Sequence, residues 1–212
     1  FKTRQAHYLC EEVEQLLHGQ THPSAQLFSQ AKSLLDEAIL MAPQNARAPI
    51  ALAKLEHQCG QISQAHQTLL KLIETNPSAL PLVCEELLSS SRALGKEAEL
   101  KQILQKAYDN HASLDVLKAL SSLQATTTEQ QQLLSRHLQE DPSLLVASWW
   151  LEHERIEHEE QRPSLHKALS RATAPLNRYR CAACGFEAQK HFWQCPGCQA
   201  WDSYPNLRVE EL

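Results

Sequence analysis

Apolar side chains recur at helical spacing along most of the chain. Ala31, Leu35 and Ile39 lie four apart and are followed by Pro43, and Ala65, Leu69 and Ile73 repeat that spacing ahead of Pro77. Every offset between the two sets is 34 residues. A small Ala on the inner face lets two helices of a hairpin approach. A Pro eight residues after the large apolar position ends the helix, because its ring cannot continue the hydrogen-bond ladder. Ahead of the second set, residues 48–58 predict a helix with Ala51, Leu52 and Leu55 on one face, and Gly60 supplies the turn. Residues 45–78 are therefore the clearest repeat. Residues 1–43 read as an earlier copy, with a helix over 2–18, a turn at 19–23 and a helix over 24–41.

The 34-residue period is that of a tetratricopeptide repeat. After Pro77 the register slips by one. Gly95 takes the place of Gly60, and Leu100, Leu104 and Tyr108 take those of Ala65, Leu69 and Ile73. Pro81 is expected in the first turn of its helix, where proline is tolerated. A degenerate unit follows, with a short helix over 113–123. Thr128 with Gln131 offers a capping box, and a helix carrying Leu133, Leu134 and Leu138 ends before Pro142. A last hairpin is expected over 143–160 and 163–173. The fold class is thus mostly α: a tetratricopeptide-repeat helical solenoid of four patterned hairpins and a fifth that caps the stack. In such arrays the concave face binds an extended peptide or a partner helix.

Residues 179–204 break this pattern. They read YRCAACGFEAQKHFWQCPGCQAWDSY and hold four of the seven cysteines as Cys181-x2-Cys184 and Cys195-x2-Cys198, ten residues apart. Each pair can turn tightly enough for two sulfurs to converge on one ion. Gly185, Pro196 and Gly197 let backbone amides bend toward those sulfurs. Two facing knuckles make a closed tetrahedral S4 site, suited to zinc or a single iron. A Cys-x2-Cys spacing is a poor geometry for a structural disulfide. So short a segment cannot bury enough surface to fold alone; Phe186, Phe192, Trp193, Trp201 and Tyr204 are expected to form a small aromatic core, with ligation supplying the rest. In zinc-finger peptides that ligation contributes about 10–16 kcal/mol. Four thiolates leave no open coordination position, so the ion reads as structural first, redox-active second and hydrolytic last.

Cys10, Cys59 and Cys84 fall in helical patterns and read as small buried apolar side chains. Free thiols beside a thiolate site point to a reducing compartment. The domains are expected at 1–174 (repeats) and 175–212 (metal knuckle). The linker at 174–178 is short enough to hold the knuckle against the last hairpins, and the tail at 205–212 is expected to be loosely held.

Composition narrows the function. The formal charge of −5 argues against broad nucleic-acid binding, and Arg178, Arg180 and Lys190 offer only a modest basic edge. No apolar run is long enough to span a membrane. The chain begins at Phe1 rather than Met, which reads as a fragment. Trp149 and Trp150 are expected to fill the joint between repeats and knuckle. His153 and His158, five apart, do not share a helix face as metal ligands would, and read as a solvated acidic surface. His191 reads as a surface residue. No phosphate loop, nucleotide fingerprint or nucleophile elbow is present, and no catalytic set is assigned.

Helical repeats followed by YRCAACGF…WQCPGCQAW resemble the lipopolysaccharide assembly protein B family of Gram-negative bacteria. The resemblance covers the whole chain. It implies a rubredoxin-type C-terminal unit, with Cys181, Cys184, Cys195 and Cys198 at the positions that bind iron; the residues themselves leave zinc possible. It implies an N-terminal membrane helix in the full-length protein, absent here, with the repeats on the cytoplasmic face of the inner membrane. It further implies a regulatory adaptor rather than an enzyme. Such an adaptor helps a membrane-bound ATP-dependent protease degrade the deacetylase committed to lipid A synthesis, and answers to an inner-membrane lipopolysaccharide sensor. Two other functions fit the cysteines: a rubredoxin-like electron carrier and a zinc-ribbon nucleic-acid-binding module.

Overall fold

A computed structural model describes residues 1–20, 22–154 and 159–212 and, of His153, the backbone alone. The expectation about His153 and His158 therefore lies outside the described residues. Among the described residues ten α-helices follow one another: α1 Lys2–Leu16, α2 Ala25–Met41, α3 Arg47–Gln58, α4 Ile62–Thr75, α5 Leu80–Leu94, α6 Glu97–Asn110, α7 Leu114–Ser122, α8 Thr127–Glu140, α9 Leu144–His153 and α10 Arg162–Thr173. A two-stranded antiparallel ladder comes last, β1 Tyr179–Arg180 with β2 Glu187–Ala188. The fold is mostly helical, with a small cysteine-bearing knuckle at its end. The chain groups into two compact units, Phe1–Leu100 and Lys101–Leu212.

In the first unit the predicted punctuation operates as chemistry requires. Ala42 and Asn76 each precede a proline, and each is driven out of the helical region, to φ −138° and −137°. Their amides still close the last turn, on Ala38 O and Leu72 O. Gly60 and Gly95 both sit left-handed, at φ +75° and +66°. The residue after each donates back over the turn, Gln61 N to Glu56 O and Lys96 N to Ser91 O, both at 2.8 Å. That is the bond that satisfies orphan carbonyls at a helix end, and the one-residue register slip leaves it intact. Ala31, Leu35, Ala48, Leu52 and Leu55 form one apolar core with Ala6, Cys10 and Val13 of α1. Asn76 ties neighbouring repeats by donating from Nδ2 to Gln44 O at 2.8 Å.

A polar network also lies in this unit. Arg47 is 6% exposed and His7 1%. The guanidinium donates to His7 O at 3.3 Å and to Glu14 Oε1 at 2.9 Å. Burial pushes the Cys10 thiol up to about 11, helped by Glu14 and Glu11 and opposed by a smaller pull from Arg47. Cys10 and Cys84 are buried and Cys59 half-buried, as small apolar side chains should be.

In the second unit Asp141 precedes Pro142 and repeats the same exit, at φ −143°. Two expectations are corrected. The cap of α8 is Thr126, not Thr128: its hydroxyl accepts from Glu129 N at 3.2 Å, while Glu129 accepts from Ala125 N at 2.9 Å. Thr127 and Thr128 are already inside the helix. The helix expected over 143–160 stops at His153, with Glu154 extended at φ −82°, ψ 145°. Arg162 accounts for the stop. Its guanidinium donates to the carbonyls of Leu151 and Glu154 and is held by Glu159 at 2.7 and 2.9 Å, so the orphan acceptors of α9 have partners. Trp149 and Trp150 are half-buried, and Lys118 Nζ stands 5.9 Å above the Trp149 ring.

The tail is a third correction. Residues 205–212 are not loose: Val209–Glu211 form a 3-10 turn, and the tail's charged side chains grip α7 and α9.

Candidate metal centre

Each cysteine pair occupies the tip of a small hairpin, and the two hairpins repeat one another fourteen residues apart. Cys181 N donates to Phe186 O and Cys195 N to Ala200 O, both at 2.9 Å. Gly185 N donates to Cys181 O and Gln199 N to Cys195 O, both at 2.8 Å. Antiparallel pairing closes each base, Arg180 with Glu187 and Gln194 with Trp201. The residue after each pair must turn left-handed, and does: Gly185 at φ +77° and Gln199 at φ +61°.

Gly197 turns its amide toward the Cys195 sulfur, as expected, without being left-handed. A β-carbon there would come within 3.3 Å of the Phe186 ring, so Gly197 is small to admit that ring. The strained turn falls on Gln199, a residue that enters this region at a cost.

The four sulfurs lie within 4.8 Å of one another. Cys181 Sγ is 3.8 Å from Cys198 Sγ, and Cys184 Sγ is 3.7 Å from Cys195 Sγ. A disulfide would need about 2.05 Å. A tetrahedron with metal–sulfur bonds of about 2.3 Å has edges of about 3.8 Å. The donor set therefore fits one tetrahedral ion. Cys181 and Cys195 are sealed, at 1% and 0% exposure, whereas Cys184 and Cys198 face outward.

The knuckle favours charge on sulfur. Ser203 Oγ, 3.2 Å from Cys181 Sγ, brings that thiol down to about 6, helped by the amides of Cys184 and Ala183. Cys195 is also lowered: burial opposes it, and the amides of Cys198 and Gly197 prevail. The same pair of amides thus serves the first cysteine of each hairpin. At Cys184 the Phe186 amide acts downward, but burial and the three other sulfurs push the thiol up to about 12. Four thiols this close resist losing every proton unless a cation enters among them.

The aromatic core differs from the expected one. Phe186 and Phe192 are 44% and 38% exposed. The covered rings are Tyr179 and Tyr204, at 5% and 4%, with His191 between them. His191 meets Tyr179 edge-on at 5.5 Å and Trp193 at 4.8 Å, and its Nε2 lies 3.2 Å from Tyr204 O. It is not a surface residue, and burial lowers its pKa. The reason is its neighbours: the rings of Tyr179, Trp193 and Tyr204 surround it.

The basic edge is largely neutralised. Glu187 accepts from Arg180 at 2.8 Å and lies 3.8 Å from Arg178. Elsewhere, in the first unit, a groove of about 380 Å³ runs between α3 and α5, lined by Ala53, His57, Leu69, Glu85, Glu86 and Ser90. Spacing alone did not single it out, since its walls come from three helices. No helix among the described residues is long and apolar enough to cross a membrane.

Comparison with known proteins agrees with both halves of this picture. The family described as "Rubredoxin metal binding domain" matches residues 179–204, and the one described as "Tetratricopeptide repeat" matches residues 24–83. Lipopolysaccharide assembly protein B of Escherichia coli (strain K12) is 26% identical over 211 residues, covering 96% of this chain and 53% of that protein. The protein of the same name from Haemophilus influenzae is 25% identical over 189 residues, covering 85% and 48%. The likeness to lipopolysaccharide assembly protein B read from the sequence thus holds along most of the chain. The chain spans about half the length of these curated relatives.

Proposed function

We propose that the chain is the repeat-and-knuckle part of a regulatory adaptor in lipopolysaccharide assembly, working without catalysis of its own. Its repeats, taken as residues 1–174, hold protein partners, and residues 175–212 carry one ion on Cys181, Cys184, Cys195 and Cys198. The observation that carries this reading is the combination in one chain of tetratricopeptide helices with a tetrahedral four-sulfur site. Such a site leaves no open position at which a metal could activate water. An ion bound there supplies cross-linking of two hairpins; the chain's own residues supply the thiolates, the amides that stabilise them and the ring cluster behind them.

The partners are a membrane-bound ATP-dependent protease, the deacetylase committed to lipid A synthesis and an inner-membrane lipopolysaccharide sensor. The adaptor promotes proteolysis of the deacetylase from the cytoplasmic face of the inner membrane. The groove between α3 and α5 suits an extended segment, and Lys54 and Glu86, paired at 3.5 Å, lie in its lining. Replacing Cys181 and Cys184 together by Ser is expected to raise deacetylase levels in cells and to remove the protease from a membrane pull-down. Unchanged deacetylase levels and an unchanged pull-down count against the adaptor.

The outward-facing Cys184 and Cys198 favour a second reading, an electron carrier, since an ion near the surface can exchange electrons with a docked partner. Iron is the favoured occupant, and zinc would end this second reading. Metal analysis with a visible absorption spectrum separates them. The paired arginines beside Glu187 give a nucleic-acid reading no support.

A further inference from the structure

The tail joins the knuckle to the starts of two helices. It leaves the knuckle through Ser203 and Tyr204, which rest on the two sealed sulfurs: Ser203 Oγ is 3.2 Å from Cys181 Sγ and Tyr204 Oη 3.9 Å from Cys195 Sγ. It then turns back beside the segment that enters the knuckle. Val209 N donates to Arg178 O at 2.7 Å, Glu210 N to Leu176 O at 3.2 Å, and Arg208 Nη1 to Asn177 O at 3.1 Å. The Arg208 guanidinium lies 4.3 Å from the centre of the Tyr179 ring, two residues before the first cysteine. The strap is therefore fastened to both ends of the cysteine-bearing segment.

Its other side faces α7 and α9. Arg208 forms a bidentate pair with Asp115, both contacts at 2.9 Å, in the first turn of α7. The Glu211 carboxylate accepts from Leu114 N at 2.9 Å. Ser113, the residue that should cap α7, makes no side-chain cap bond, so Glu211 stands in for it. The Glu210 carboxylate accepts from Leu144 N at 2.6 Å, from Leu145 N at 3.2 Å and from Ser143 Oγ at 2.7 Å. These amides have no acceptor within their own helices, and negative charge is favoured at a helix start. Beneath the strap lies a cavity of about 160 Å³ lined in part by His111, His137, Asp141 and Leu207. The Nε2 of His137, a residue 2% exposed, has no hydrogen-bond partner. Apolar packing does not fill the space under the strap. Its hold depends on charged groups being presented in register.

We propose that the strap is a metal-dependent cap. An ion on the four thiolates orders the entry and exit of the knuckle, and so presents Arg208, Glu210 and Glu211 to the starts of α7 and α9. Loss of the ion uncaps both helices. Arg208 is the positioning residue, since it touches the knuckle ring, the entry segment and α7. This rests on reading Cys181, Cys184, Cys195 and Cys198 as a metal site.

Residue-resolved amide exchange on the 212-residue chain, with metal content measured on the same samples, tests it. Stripping the ion with a chelator is expected to speed exchange at Leu114, Leu144 and Leu145 about tenfold, the usual consequence of losing a cap, while Leu35 in α2 stays protected. Metal-loaded Arg208→Ala is expected to show faster exchange at the same three amides, with one ion per chain still bound. A chain that takes up neither zinc nor iron overturns the metal reading itself. A chain that binds the ion but keeps those three amides protected after stripping overturns the strap. Where stripping also exposes Leu134 in α8, Arg208→Ala decides, and unchanged exchange in that variant overturns the proposal.

Discussion

In the repeats, Ala31, Leu35, Leu52 and Leu55 are at most 4% exposed and pack against other hydrocarbon. In the knuckle Tyr179, Tyr204 and the two inner cysteines are at most 5% exposed, and Phe186 and Phe192 face water. The first region spreads its stability over many small apolar contacts, each worth a fraction of the whole. The second concentrates it on four sulfurs, the backbone amides of Ala183, Cys184, Phe186, Gly197 and Cys198 that act on them, and one ring cluster. Damage to the repeats should therefore be graded by position. Damage to the knuckle should be nearly all-or-none, and should depend on whether an ion is bound.

The sharpest way to break the comparison is Cys181→Ser together with Cys195→Ser. We expect loss of bound metal and of the near-ultraviolet dichroism from the Tyr179, His191 and Trp193 cluster, with the far-ultraviolet helical signal of the repeats largely retained. A variant that keeps both its ion and its aromatic signal would show that the knuckle stands on packing after all. Leu35→Ala is the counterpart in the repeats. It removes a fully buried side chain from the core it shares with α1 and α3 and should cost about 2–5 kcal/mol in urea denaturation, leaving metal content unchanged.

Acid should weaken the repeats by a smaller margin. Burial lowers the pKa of His66 and of His137 from 6.5. As pH falls through 6.5 the unfolded chain takes up these protons before the folded one does. Stability present above that pH is then lost below it. Midpoints of urea unfolding that stay constant from neutral pH to below that value would contradict this. The smallest effect compares the two hairpin tips. Gly185→Ala should destabilise the knuckle by about 1 kcal/mol and Gln199→Gly should stabilise it by up to about 1 kcal/mol, both read as shifts in chelator-induced metal release. Equal shifts of the same sign would mean that the two tips are not equivalent turns.

The repeats were legible because their signals are local. A proline acts on the residue before it, and a left-handed glycine on the carbonyls just behind it, so Ala42, Asn76, Gly60 and Gly95 could be placed without a structure. Cysteine spacing was legible for the same reason. The capping box on α8 falls on Thr126 and not Thr128, although Thr126, Thr127 and Thr128 look alike in sequence; only the chain path decides which hydroxyl meets an amide. The early end of α9 depends on Arg162, whose partners lie eight and eleven residues earlier. His191 could not be assigned from its own position, because the rings that enclose it come from 179, 193 and 204.

From the sequence alone come the helical period, its prolines and glycines, and the two cysteine pairs, because each is set by neighbours within one turn of chain. Tertiary structure alone decided that Gln199 and not Gly197 carries the left-handed turn, and that Arg47 is buried with His7. It also decided that Glu210 and Glu211 cap helices 66 and 97 residues earlier. Those contacts join groups far apart along the chain, and a carboxylate in a tail reads as solvated until the fold brings an unpaired amide within reach.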